Sequence, residues 1–255
     1  MPPLLAHCAM IDQMSSWQDQ QKAGLRRGLL CLSLTGEDVD ILIREAAAVI
    51  HLADLVEIRL DSMRKPDIAP FVARYTTVPV LATNRPQWEG GHYNGSEEQR
   101  LLQLEAAMQA GAAYVDIELR TEAALRDTLL TKADTLGVWS LVSWHDFTGT
   151  PDNETLQGIV QAMQSSGARS GKIVTTAKKP ADVVRLLALL NQATAAFFPL
   201  SAFAMGEVGS ISRLATLYLG GHISYASVNE SSSTAPGQLS LGRLHTLCEL
   251  FEKTA

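Results

Sequence analysis

The chain has 255 residues, which fits a single α/β barrel domain of about 250 as readily as two smaller domains. Its apolar content of 46% and charged content of 19% supply a sizeable core and exclude intrinsic disorder. The 21 lysines and arginines against 27 aspartates and glutamates, a formal net charge of −6, give no broad positive field, so no nucleic-acid partner is expected.

In chain order, MPPLLAHCAMIDQ lacks the basic flank and longer apolar core of a signal peptide, and residues 1–27 carry no clear patterning. They are read as an N-terminal extension of uncertain structure. Eight short apolar or β-branched runs follow: Leu29 to Leu34, Leu55 to Leu60, Val78 to Ala82, Tyr114 to Leu119, Val138 to Trp144, Lys172 to Thr176, Ala196 to Phe203 and His222 to Val228. Between them, segments such as DVDILIREAAAVIHL from Asp38 and SEEQRLLQLEAAMQAGA from Ser96 repeat apolar residues three and four apart, as helices do. Ser96, Thr121 and Asp152 are expected helix caps, and Pro180 suits a first helical position. Ala193 to Met205, the most apolar stretch, is shorter than a membrane span and is broken by Pro199, so no membrane is expected. Cys8, Cys31 and Cys248 form no C-x-x-C pair, which argues against a disulfide framework or a zinc site and fits a reducing cytoplasm.

Eight strand–helix units without a linker between halves predict a single-domain (β/α)8 TIM barrel over residues 28–255. An open doubly wound sheet is the alternative, but no G-x-G-x-x-G follows the first strand. In a barrel neither strand face is freely solvated, so charges within strands need a reason. Period-two geometry puts Glu57, Arg59 and Asp61 on one inward face, as an ion-pair ladder or as a polar-ligand site. Lys172 in strand six and His145 at the end of strand five face the mouth; lost hydration and nearby arginines would favour the neutral lysine amine, a nucleophile towards ketones. Taken alone, Lys172 reads equally as a strand-edge lysine reaching solvent, and His145 as a core histidine. Arg85 and Glu89 follow strand three, Arg213 follows strand seven where a helix opens, and APGQ (Ala235 to Gln238) follows strand eight. An arginine beside free helical N–H groups suits a carboxylate or a phosphate.

These motifs occur together and in order: E-x-R-x-D at Glu57, Arg59 and Asp61; R-x-x-x-E-G-G from Arg85; H-D-F-x-x-T-P from His145; G-K-I at Lys172; M-G-x-x-G-x-x-S-R ending at Arg213; and A-P-G-Q. From about Leu29 to the C-terminus the chain resembles type I 3-dehydroquinate dehydratases, the Schiff-base enzymes of the shikimate pathway. The resemblance implies a barrel, usually a homodimer, that dehydrates 3-dehydroquinate to 3-dehydroshikimate without metal or organic cofactor. It implies Lys172 as the imine-forming residue, His145 as general base and then acid, and Glu89 as the carboxylate orienting that histidine. Glu57, Arg59 and Arg85 match positions that hold ring hydroxyls, Arg213 and Gln238 match those that bind the carboxylate, and Ser33 and Met205 match further pocket positions. Thr234 stands where a serine is common in the family, Phe203 where a methionine is frequent, and Pro86 is unusual in the third loop. The family's N-terminal hairpin pattern is missing before strand one.

Two other readings compete. One is a class I aldolase that uses the same lysine on a sugar phosphate, held by the glycine-containing loops after strands seven and eight. The other is a non-enzymatic barrel that binds a small acid or a protein. A serine-rich run, Ser231 to Thr234, predicts a mobile loop after strand eight.

Overall fold

The computed structural model describes residues 27–230 and 237–252. The extension up to residue 26, the expected mobile loop and Thr234 lie outside the described residues. Eight strands are present: β1 (Leu29–Leu34), β2 (Leu55–Arg59), β3 (Val80–Thr83), β4 (Tyr114–Glu118), β5 (Trp139–His145), β6 (Ser170–Thr176), β7 (Leu200–Met205) and β8 (Ile223–Ala226). They are joined in parallel from β1 through β7, and β8 pairs with β1. The β7–β8 seam is drawn together by two bonds outside the ladders: His222 N–H donates to the Leu200 carbonyl, and Ile223 N–H to Ser201 Oγ, both at 3.0 Å. The result is a (β/α)8 barrel.

The described helices are α1 (Val39–Ala46), α2 (Ala69–Arg74), α3 (Glu97–Gln109), α4 (Ala123–Thr135), α5 (Asn153–Ser165), α6 (Pro180–Ala195), α7 (Ser210–Tyr218) and α8 (Leu241–Glu252). Each follows one strand, as parallel pairing demands a crossover. Ser96 and Asp152 cap α3 and α5 by accepting from Gln99 and Thr155 N–H, and Pro180 occupies the first turn of α6. Thr121 is not a cap. Glu122 precedes α4 without a side-chain cap, and Thr121 Oγ accepts from Arg100 instead.

Two strand expectations shift for identifiable reasons. β7 begins at Leu200 rather than Ala196, because α6 runs to Ala195, Phe197 turns the chain at φ 55° and Pro199 has no N–H for a ladder. β2 ends at Arg59, and Leu60–Ser62 is a 3-10 turn. Asp61 therefore does not share the barrel interior. Its carboxylate accepts from Arg59 and from the backbone N–H groups of Arg85 and His92, which fastens the loop after β3.

Outward strand residues such as Leu32, Val56, Ile58 and Ile173 are fully buried beneath the helices. Each contributes about 1.5–3 kcal/mol by leaving water. The inward face has an apolar layer that includes Cys31, Leu55, Leu81, Tyr114, Leu141 and Ile223. Two residues further along the same strands stand Ser33, Glu57, Thr83, Asp116 and Ser143, so the fold sets a polar layer on an apolar floor. That layer opens at the C-terminal ends of the strands.

Candidate active site

The polar layer walls an open cavity of about 540 Å³. Glu57, Arg59, Arg85, Glu89, His145, Lys172, Met205, Arg213 and Gln238 all line it. Ser33 does not line it; its hydroxyl donates at 2.5 Å to Glu57. Thr83 Oγ donates to the other oxygen of Glu57 at 2.9 Å, so two hydroxyls set that carboxylate.

Lys172 is only 5% exposed, which disposes of a strand-edge lysine reaching solvent. Its Nζ donates to Asp116 at 3.0 Å, lies 3.8 Å from Glu57 and sits 4.3 Å from the centre of the Tyr225 ring. Reading the strands missed this surround. β4 runs Tyr114-Val115-Asp116-Ile117-Glu118, carrying the same alternation of charge and apolar residue as β2, and that pattern is the signal that finds it.

Asp116 and Glu118 also claim Arg85. Its Nη1 donates to Glu118 at 2.5 Å and to Ser143 at 2.6 Å, and its Nη2 to Asp116 at 2.5 Å. Fully buried Arg100, from α3, closes on the far oxygen of Glu118 at 2.5 Å. Burial opposes ionisation of Asp116, yet Arg85 and Lys172 hold its carboxyl well below the usual range. Burial wins at Glu118, whose pKa is raised.

His145 ends β5, and its Nδ1 lies 2.7 Å from Glu89 Oε2. This leaves Nε2 as the ring nitrogen free for chemistry in the cavity. Glu89 is 1% exposed and so is no surface loop acid. Burial pushes its pKa up to about 7, with Arg85 and Arg120 partly opposing. Burial, with Arg85 and Lys172 nearby, holds His145 well below its ordinary value, so the imidazole is neutral. The two glycines after Glu89 make this approach possible. A Cβ on Gly90, at φ +75°, would stand 2.3 Å from the Phe147 ring, and one on Gly91 would stand 2.0 Å from the Arg85 carbonyl oxygen.

Arg213 lies in the first turn of α7, with 1% exposure. Among the described residues its Nε and Nη2 are buried without hydrogen-bond partners, and its guanidinium carbon sits 4.9 Å from the Phe203 ring centre. Burial lowers its pKa to about 10. Arg59 and Arg85 are matched by acids, whereas among the described residues no acid pairs with Arg213.

An eightfold barrel whose strand ends converge a buried lysine, a neutral histidine bound to a carboxylate and a buried arginine has the architecture of an enzyme active site. The family model of type I 3-dehydroquinase matches residues 30–255. A 3-dehydroquinate dehydratase of Desulfotalea psychrophila is 41% identical over 215 residues, covering 84% of this chain and 94% of that one. Among solved structures, the 3-dehydroquinate dehydratase of Geobacillus kaustophilus superposes with a TM-score of 0.80 at 30% identity, covering 89% of this chain and 92% of that one. The type I 3-dehydroquinate dehydratase of Clostridium difficile, solved with covalently modified comenic acid, superposes with a TM-score of 0.82 at 25% identity, covering 91% and 95%. The chain belongs to the type I 3-dehydroquinase family. It is therefore an enzyme, and its (β/α)8 barrel is the fold that the strand–helix alternation predicts.

Proposed function

We propose that this enzyme dehydrates 3-dehydroquinate to 3-dehydroshikimate through an imine on Lys172. The observation that carries the reading is the convergence on one cavity of buried Lys172, the His145–Glu89 pair and unmatched Arg213. The substrate carboxylate pairs with Arg213, assisted by Gln238, while Glu57 and Arg59 take ring hydroxyls. Arg85, whose two terminal nitrogens are held by acids and Ser143, serves the same wall chiefly by fixing Asp116. Met205 and Phe203 pack against the ring.

The Lys172 amine attacks the C3 ketone, and loss of one water leaves an iminium that acidifies the adjacent C2 proton. His145 Nε2 removes that proton, giving an enamine, and the resulting imidazolium is stabilised by Glu89. The enamine expels the C1 hydroxyl, which takes the proton from His145 and leaves as a second water. Hydrolysis of the conjugated imine consumes one water and frees Lys172, so the net change is loss of one water. The test is mass spectrometry after 3-dehydroquinate and borohydride. A reduced adduct on the peptide holding Lys172 is expected, and a folded protein with no adduct overturns the reading.

Two expectations follow from the electrostatics. His145 Nε2 is a base only when Nδ1 carries the proton and donates it to ionised Glu89; a protonated Glu89 would donate to Nδ1 and leave the proton on Nε2. The raised pKa of Glu89 means that kcat/KM should climb as pH passes about 7, and an acid limb near pH 4.5 would count against this pairing. Replacing Arg213 by Met should lower kcat/KM by roughly 10- to 150-fold, the worth of a charged hydrogen bond, largely through KM. The same change should raise Tm, because it removes an unpaired buried charge from the free enzyme. Steady-state kinetics and thermal unfolding together check this.

The reading also includes a homodimer in the cytoplasm, with residues 28–255 as the catalytic domain. A solution mass of twice 27.6 kDa is expected. Among the described residues, no helix is long and apolar enough to cross a membrane.

A further inference from the structure

Glu89 meets the His145 ring through Oε2, while its Oε1 is buried without a hydrogen-bond partner among the described residues. The cation facing Oε1 is Arg120, whose Nη1 lies 3.5 Å away. β4 pairs with β5 through Glu118 and Ser143, so two residues further on Arg120 comes beside His145. There its Nη2 donates to the His145 carbonyl at 3.3 Å, and its guanidinium carbon stands 5.1 Å from the Trp144 ring centre. One half-exposed side chain, at 47%, thus touches both members of the pair and rests on an aromatic face that limits its wandering.

We propose that Arg120 is a positioning residue of this site, which holds the outer oxygen of Glu89 against the end of β5 and keeps Glu89 as the acceptor of the His145 Nδ1 proton. The proposal rests on the reading of His145 and Glu89 as the proton-transfer pair. Glu89 is faced by Arg85 from the loop after β3, by Glu118 from β4, by Arg120 and by His145. His145 is faced by Arg85, Lys172, Asp116 and Arg59, and Arg120 also acts on Asp146. Of the two arginines acting on Glu89, Arg85 has both terminal nitrogens committed to Asp116, Glu118 and Ser143. Arg85 therefore acts on Glu89 at a distance, as the stronger charge, while Arg120 is the arginine whose guanidinium faces Glu89 Oε1 directly. Its position outside the cavity lining separates it from direct substrate contact.

The test compares wild type, Arg120→Gln and Arg120→Lys by kcat/KM for 3-dehydroquinate from pH 5.5 to 9, at low and high salt. In Arg120→Gln the acid limb should move up by roughly half a pH unit, the size of a half-exposed ion pair. This makes the variant about threefold slower at pH 6, with the gap closing as pH rises. Arg120→Lys should recover part of the shift. High salt should move the wild-type limb upward and that of Arg120→Gln by less, since screening acts on the exposed charge. Limbs that coincide, or a loss equal at every pH, would overturn the assignment. Borohydride trapping of the wild type in parallel keeps the two ideas apart: an adduct with coincident limbs removes Arg120 alone, whereas no adduct removes the functional reading as well.

Discussion

Lys172→Ala should abolish turnover of 3-dehydroquinate, with a fall of at least about 10⁴-fold in kcat, and should yield no borohydride adduct. Without an amine the ketone cannot become an iminium, and C2 loses the acidity on which proton removal depends. Lys172→Arg sharpens the test. It keeps a positive charge between Asp116 and Glu57, yet a guanidinium stays protonated and does not attack carbonyls. It should be as inactive as the alanine variant, which separates nucleophilicity from charge. Neither change should unfold the protein. In Lys172→Ala, Asp116 keeps Arg85 and Ser143, and Glu57 keeps Ser33 and Thr83. The cost should therefore fall below the roughly 3–5 kcal/mol of a buried charge left wholly alone. Circular dichroism and thermal unfolding check this, and turnover near wild type in Lys172→Ala sinks the mechanism.

His145→Ala should lower kcat by roughly 10²- to 10⁴-fold, the usual worth of a positioned general acid and base, while borohydride still traps substrate on Lys172. The split arises because, in the proposed mechanism, imine formation uses the amine, whereas elimination uses the imidazole twice. Loss of the ring leaves Glu89 Oε2 unpaired in a buried place. A carboxyl whose pKa already stands near 7 can take up a proton there, so the structural penalty should stay at about 1–3 kcal/mol. A primary isotope effect from deuterium at C2 should be visible wherever proton removal limits the rate, and stopped-flow trapping separates it from imine formation. A variant that loses adduct formation and turnover in parallel would place His145 in imine formation instead.

Much of this was legible along the chain because it depends on local chemistry. Alternation of apolar runs with 3.6-period segments determined eight strands and the barrel, since parallel strands need crossovers and the pattern leaves no linker. Ser96 and Asp152 acted as caps because a cap needs only its own turn, whereas Thr121 has a polar partner in another helix and went to Arg100. The motifs around Glu57, Arg85, His145, Lys172 and Arg213 determined which groups reach the strand ends, because period-two geometry and strand direction are properties of sequence.

Which charge meets which was decided in three dimensions. Asp61 shares a face with Glu57 on an ideal strand, but a 3-10 turn carries it to the loop after β3. Ser33 and Arg85 became supports for Glu57 and Asp116, and Arg213 was left with buried nitrogens that no described residue satisfies. Asp116, Glu118 and Arg120 drew no notice from the sequence, since their partners lie between 18 and 56 residues away. Closing eight strands into a ring sets each inward side chain against neighbours from other strands, and burial makes those pairings decisive for charge. Spacing along one strand carries no record of them, because electrostatic energy depends on distance and desolvation after the ring has closed.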